Sequence, residues 1–385
     1  MSGLRIEVDL DKIGHNACRL VDRTARRNIS ITGVTKAMLG APDLARVLCV
    51  SGVGDLGDSR IENIERMRDA GIDDPKLLLR SPMPSQVERV VRSGAMSVNT
   101  ETDVLTSLAA AARVTGRVHD VMLMVELGDL REGVMPSELN EMARHVLRLP
   151  TLRLRGIGAN LACRNGIEPS AENMGELSEL VESLEAMLGI EIEVVSGGNS
   201  ANLEWAFGPS GKGRINNLRI GEAVLLGREP LHRRPIDGLH TDAVKLVAEV
   251  IESNRKPTKP SGRSFQNSFG ETPEILDRGT IWQTILAVGR QDTDAGDLLE
   301  PNGVKILAAS SDHLLVETQA RMKPGDELTF EPGYSAVLRS MTSPFVTKSF
   351  TGGPGLRSDP DHDHPEIRCE AQTPARRMTR PAESR

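Results

Sequence analysis

Lys36 closes an apolar, β-branched stretch, ISITGVTK (29–36), and small residues and a turn follow it. An ammonium carried to the end of such a strand either emerges into solvent or is held in a pocket as a nucleophile or base. Strand ends often carry charge, so Lys36 taken alone reads as solvated. Other chemistry-bearing residues stand at the ends of similar runs: Asp58, Ser81, Asn99, the loop with Arg131, Asn160, Ser200 and Arg219. Neither a carboxylate pair nor a metal-ligating cluster dominates this set. SGGNSAN (196–202) is a tight glycine turn leading towards a helix start. Its backbone N–H groups and the Ser200 hydroxyl suit a phosphate, and a plain left-handed glycine turn fits equally well. RIGEAVLLG, running from Arg219 through Gly221 and Glu222, supplies further backbone donors. A lysine among phosphate-binding elements points to a Schiff-base cofactor.

The elements that must position these residues alternate. Strand-like runs lie at 29–36, 51–58, 76–81, 95–100, 121–128, 154–162, 190–199 and 217–227. Between most of them lie amphipathic segments with helix start and stop signals, such as Pro84 and Ser85 before VERVVRS and Gly94 after it. Eight alternating units predict an α/β fold, a (β/α)8 TIM barrel with the site at the C-terminal ends of its strands. A doubly wound open sheet competes, because periodicity does not report closure. After about residue 233 the strand-like runs are separated by turns without long helical stretches. The expected division is therefore a barrel domain at 1–233, a mostly-β domain at 234–350 and a disordered, Pro- and Arg-rich tail at 351–385. The tail's His362, Asp363, His364 and Cys369 match no strong metal signature, so no metal site is expected.

Composition narrows the function classes. A net charge of −7 argues against general nucleic-acid binding. No apolar run approaches the roughly 20 residues of a membrane helix. The opening MSGLRIEVDLDK has no signal-peptide core, and the four scattered cysteines fit reduced thiols, so a cytoplasmic protein is expected.

Taken in order, these motifs resemble the alanine racemase family of fold type III pyridoxal-phosphate enzymes, and within it the ornithine racemase-like branch. The resemblance covers about residues 4–350. IEVDLDKIGHN is similar to the family's opening strand, and VTKA to its cofactor-lysine motif, which implies that Lys36 bonds pyridoxal 5'-phosphate. VELGDLREGV resembles the loop whose arginine, here Arg131, lies near the cofactor hydroxyl. LRIGEAVLLG implies that Arg219 faces the pyridine nitrogen, and GGNSAN implies a phosphate turn with Ser200. GRQD (289–292) and SSDH (310–313) resemble the active-site segments of the second domain. There are departures. Gly40 stands where alanine racemases carry a tyrosine after the lysine, Met124 where they carry a carbamylated lysine, and Asn160 where a histidine lies under the ring. Arg290 replaces the second catalytic base, and the only tyrosine is Tyr334. The resemblance implies a racemase working by two-base proton transfer, with ornithine favoured and alanine, lysine or serine as alternatives. The second base would come from Tyr334, Asp312, His313 or Arg290, with Asp312 alternatively binding a substrate amine. It also implies a homodimer with shared active sites. A decarboxylase of basic amino acids and a D-amino-acid aldolase or dehydratase are the rival readings.

Overall fold

The computed structural model describes residues 3–272 and 276–353. The chain begins with β1 (Leu4–Asp9) and α1 (Leu10–Ala25). Eight strands then alternate with helices: β2 (Ser30–Val34), α2 (Pro42–Val50), β3 (Asp55–Asp58), α3 (Ile61–Asp69), β4 (Lys76–Leu78), α4 (Val87–Ser93), β5 (Met96–Asn99) and α5 (Thr102–Thr115). The series continues with β6 (His119–Val125), α6 (Leu139–Leu147), β7 (Leu152–Ala159), α7 (Ala171–Leu188), β8 (Val194–Ser196), α8 (Leu203–Phe207), β9 (Asn217–Ile220) and α9 (Glu222–Leu226). Strands β2 to β9 pair in parallel and close on themselves, with Ser30 opposite Asn217 at the seam. This is a TIM barrel, and closure excludes the open sheet.

Closure explains why these runs are legible in the sequence. A parallel strand covered by helices outside and side chains inside is buried on both faces and reads as a continuous apolar run. Inside, Met96, Met122 and Met124 pack with Leu77, Val98 and Val194. Flexible thioethers fill space left by small neighbours. A Cβ on Gly156 would stand 2.8 Å from the Met122 methyl, and one on Gly158 would stand 3.1 Å from its sulfur.

The second compact unit joins residues 3–9 to Asp242–Thr351, while the barrel unit runs from Leu10 to Thr241. This differs from a division at 233/234 that starts the barrel domain at residue 1. The physical reason lies in β1. Its sequence, LRIEVD, buries Ile6 and Val8 while the alternate residues stay partly exposed, a period-2 pattern that suits a sheet with one solvated face. It pairs antiparallel with β10 (Val244–Pro257) and in parallel with the last strand of the unit. The others are β11 (Thr280–Leu286), β12 (Leu298–Leu299), β13 (Val304–Ala309), β14 (Leu314–Thr318), β15 (Glu327–Pro332) and that last strand, β16 (Thr347–Thr351). Their order is β12-β15-β10-β11-β14-β13, with β1 paired to β10 and β16 paired to β1. Among the described residues one α-helix, α10 (Tyr334–Thr342), interrupts what the sequence reads as a mostly-β domain. The expected tail, with His362, His364 and Cys369, lies outside the described residues beyond Gly353. Among the described residues no helix is long and apolar enough to cross a membrane, and no group of His, Cys, Asp and Glu is arranged to hold a metal ion.

Candidate active site

Lys36 does not end its strand. β2 stops at Val34, and Lys36 opens a single 3-10 turn, Lys36–Met38. The turn is anchored from below by Thr35, whose N–H bonds Gly57 O at 2.9 Å and whose hydroxyl donates to Asp58 Oδ2 at 2.7 Å. Asp58, at the end of β3, also accepts from Arg60 N at 2.9 Å and Asn63 Nδ2 at 3.0 Å. Burial pushes the Asp58 carboxyl up, and those three donors with the nearby Lys36 pull it back only in part. The turn exits through Gly40 at φ +62°, where a Cβ would lie 2.7 Å from Asn63 Cβ. A side chain does not fit at Gly40, which accounts for the departure at this position.

The Lys36 side chain stands open at the barrel mouth while the walls around it displace water. This loss of hydration lowers its pKa below the ordinary lysine value. Arg131 and Arg219 lower it further, whereas Cys163 and Asp58 oppose the shift. Arg219 is 5% exposed on β9. Its guanidinium donates to Ser196 Oγ at 2.6 Å, Ala159 O at 2.7 Å and Asn160 Oδ1 at 3.3 Å, all neutral acceptors. Burial pushes its pKa down to about 10, so it stays protonated at neutral pH.

Asn160 is held from a second side by Asn199 Nδ2 at 3.2 Å. Asn199, which sequence reasoning passed over beside Ser200, also caps the following turn by accepting from Ala201 N at 2.8 Å. Ser200 is buried, and its Oγ accepts from Ala223 N at 3.2 Å, tying the glycine turn after β8 to the start of α9 after Gly221. The Glu222 carboxylate pairs with Arg233. Arg131 lies on the loop after β6 and pairs with Glu132 at 2.8 Å. Lys36, Arg131, Asn160, Ser200, Arg219, Gly221 and Glu222 therefore all lie on the C-terminal side of the barrel strands. Cys163, a free and exposed thiol on the loop after β7, joins them near Lys36. Nothing in its spacing signals this, because the connection is made by the barrel.

Tyr334, Asp312 and Arg290 belong to the β unit. Arg290 is committed within it. Its guanidinium makes a two-bond pair with Glu271 at 3.0 and 2.9 Å and lies 4.0 Å from the Phe269 ring centre. Asp312 is exposed and accepts from Gln291 and from Ser311 Oγ. Tyr334 begins α10, half-buried, rather than sitting in a strand of the β core.

The donor set of the barrel mouth suits a phosphorylated aldehyde. The Lys36 amine stands at the mouth where an aldehyde could meet it, and a buried guanidinium held only by neutral acceptors leaves positive charge for an anionic group. The Ser200 hydroxyl and the glycine turns allow a phosphate to approach the backbone.

Residues 8–229 match the alanine racemase N-terminal domain. The chain is 35% identical over 349 residues to an ornithine racemase of Acetoanaerobium sticklandii, covering 89% of this chain and 98% of that protein. It is 38% identical over 352 residues to a lysine racemase of Thermotoga maritima, covering 90% and 98%. In fold it is similar to the crystal structure of an alanine racemase from Streptomyces lavendulae, with a TM-score of 0.70, 19% identity, and 92% and 98% of the two chains covered.

Proposed function

The chain belongs to the alanine racemase family, and from that premise we propose that it is a pyridoxal-phosphate-dependent racemase of basic amino acids, with ornithine the favoured substrate. The observation that carries the reading is the joint presence of Lys36 beside Arg219 at the barrel mouth and similarity over nearly the full length of an ornithine and a lysine racemase. A cavity of about 510 Å³ shares Arg131 with this site but not Lys36 or Arg219, and in this reading it takes a cationic substrate side chain. Glu101, Glu132, Glu138 and Glu141 line it against Arg131 and Arg148, a balance that favours an ammonium over a carboxylate.

Lys36, Arg131, Ser200 and Arg219 would hold the cofactor, with backbone support from Gly221 and the α9 start and with Asn160 fixing Arg219. Pyridoxal phosphate, when bound, supplies an aldehyde for the substrate amine and a conjugated ring that takes up the electron pair left at the α-carbon. Lys36 Nζ, with its pKa lowered by the walls that displace water from it, takes the α-proton on one face and returns it there. Arg219 stays charged and would hold the cofactor at its ring nitrogen, where a donor would weaken the ring as an electron sink and favour proton return over elimination. In this reading the proton donor for the other face is supplied by the β unit of a partner subunit, with the positions of Tyr334 and Asp312 as the candidates. Arg290 is a weaker one, because Glu271 and Phe269 already hold it. A homodimer with shared sites is part of the same reading.

The test is turnover of the holoenzyme on separate L-ornithine, L-lysine, L-alanine and L-serine in deuterated water, read by proton NMR and chiral chromatography. D-ornithine formed fastest, with α-deuterium incorporated, supports the proposal, and Tyr334→Phe and Asp312→Asn then assign the second proton carrier. Amine accumulating in place of the D-amino acid would replace the reading with the decarboxylase.

A further inference from the structure

Two nearly fully buried carboxylates near the barrel mouth are unused by the chemistry above. Glu126 (7% exposed) follows β6 directly, and Asp129 (0% exposed) lies three residues on. A buried carboxylate is costly unless its oxygens are satisfied. Both are satisfied by backbone N–H groups of loops. Glu126 Oε1 accepts from Gly128 N at 2.6 Å and Leu130 N at 2.8 Å, and Oε2 accepts from Arg131 N at 3.2 Å. Asp129 reaches across to the loop after β7 and accepts from Cys163 N at 3.2 Å, Arg164 N at 2.9 Å and Asn165 N at 3.1 Å. Two return bonds complete the join: Asn165 Nδ2 donates to Asp129 O at 2.6 Å, and the Arg164 guanidinium donates to Leu130 O at 2.6 Å.

Backbone conformation gives an independent sign that both loops are constrained. Each carries a non-glycine residue in the left-handed region, Leu130 at φ 52° and Ala162 at φ 52°. Such residues persist only where the surroundings over-determine them. Further on, the β6 loop folds back on its own strand, Val134 N bonding Met124 O at 2.8 Å and Glu126 N bonding Val134 O at 2.9 Å. Gly133 permits this closeness, since a Cβ there would lie 2.4 Å from Glu126 N. The two loops carry the two groups that act on Lys36 from this side, Arg131 and Cys163.

We propose that Glu126 and Asp129 are positioning residues that clamp the loops after β6 and β7 into one rigid piece, fixing Arg131 and Cys163 beside Lys36. Glu126 acts through the Arg131 backbone, and Asp129 acts by joining the Cys163 loop to it. The proposal rests on the racemase reading for its kinetic arm and on that reading's cofactor alone for its dialysis arm.

Glu126→Gln is the sharpest probe. Its amide oxygen can keep the Gly128 and Leu130 bonds while its NH2 faces the Arg131 N–H, so one bond turns repulsive in an otherwise unchanged shape. Asp129→Asn does the same to the Cys163 loop. If Asp129→Asn fails to fold, Asn165→Ala, at an exposed position, removes a single inter-loop bond. The measurements are kcat/KM of the holoenzyme and retention of pyridoxal phosphate on dialysis, for these variants, Arg131→Ala and the Glu126→Gln/Arg131→Ala double variant. Misplacing a positioned group by about 1 Å costs on the order of 100-fold. We therefore expect losses of about 10- to 100-fold in kcat/KM for Glu126→Gln and Asp129→Asn, with a smaller loss for Asn165→Ala and weaker cofactor retention for Glu126→Gln. Within the Arg131→Ala background the Glu126→Gln change should have almost no further effect, because both act through one group. Full additivity in that cycle, or variants with wild-type kinetics and cofactor retention, would overturn the proposal. A wild-type enzyme that racemises nothing would instead overturn the functional reading, and the dialysis arm of the same cycle would still decide the clamp.

Discussion

The two ends of the barrel handle buried charge in opposite ways. At the N-terminal end, opposite charges meet in pairs. Arg153 makes two 2.7 Å bonds to Asp120, and Arg155 reaches Asp120 at 3.1 Å and Glu193 at 2.7 Å. At the mouth, like charges gather. Lys36 stands among Arg131 and Arg219, and loss of hydration lowers the pKa of both Lys36, against Cys163 and Asp58, and the buried Arg219. Pairing discharges a site and leaves only structure. Loss of hydration, with Arg131 and Arg219 adding to it, lowers the pKa of Lys36, and the cationic groups leave room for an anion. The carboxylates buried near the mouth, Glu126 and Asp129, take backbone N–H groups as partners, so they shape loops without neutralising the cationic cluster.

That contrast can be broken by experiment. The largest expected effect is at the mouth. Lys36→Ala should lower kcat by about 1,000-fold or more, within or above the usual range for loss of a positioned acid–base group, while leaving the melting temperature close to wild type. A variant retaining a tenth of wild-type turnover would remove Lys36 from the chemistry. At the opposite end the effect should fall on stability alone. Arg155→Met removes the ion-pair partner of Glu193 and leaves Asp120 to Arg153 alone, and loss of one partner from a buried pair costs about 3–5 kcal/mol. Glu193 is half-exposed, so water recovers part of this, and about 1–3 kcal/mol in chemical denaturation is the expected loss. A drop in kcat of the folded variant would show that the two ends are not separate.

The smallest effect sharpens the comparison through pH. Asp55, at the N-terminal end of β3, is buried with Oδ1 lacking a partner, and burial raises its pKa to about 7 against Arg155, which lowers it. Its folded-state pKa lies above the unfolded value of 3.8. Its contribution is therefore fully present below about pH 4 and is lost as pH rises through 7. His119, bonded to Ser97 Oγ at 2.9 Å, is pushed down to about 4 by burial, so its contribution is lost as pH falls from 6.5 towards 4. Asp55→Asn should accordingly gain melting temperature relative to wild type as pH goes from 5 to 8. A constant difference across that range would mean that Asp55 is already ionised and paired in the fold.

The helices that open on Pro84 or stop at Gly94 follow from local chain chemistry, and so do the eight barrel strands, each buried on both faces. Motif order along the chain was enough to bring Lys36, Arg131, Asn160, Ser200 and Arg219 into one expected site. Four features were not legible. Lys36 sits in a 3-10 turn rather than a strand, because Thr35 and Asp58 pull the chain out of β2. β1 belongs to the β unit, since its partners lie more than two hundred residues away. α10 was missed because its nine residues carry no strong start signal. Glu126, Asp129 and Asn199 look in the sequence like ordinary loop residues, and their partners are backbone groups that no side-chain pattern encodes.

The sequence by itself determined the alternation of elements and the family, and it marked the lysine and its companions as an expected site, because these rest on local periodicity and on motifs in order. Only the tertiary structure decided which charges are paired and which are crowded. The pKa of Lys36 is set by walls and neighbours drawn from β3, β9 and the loops after β6 and β7. Closing the barrel brings residues as far apart in the chain as Lys36 and Arg219 to one desolvated mouth, and desolvation is a property of the closed shape.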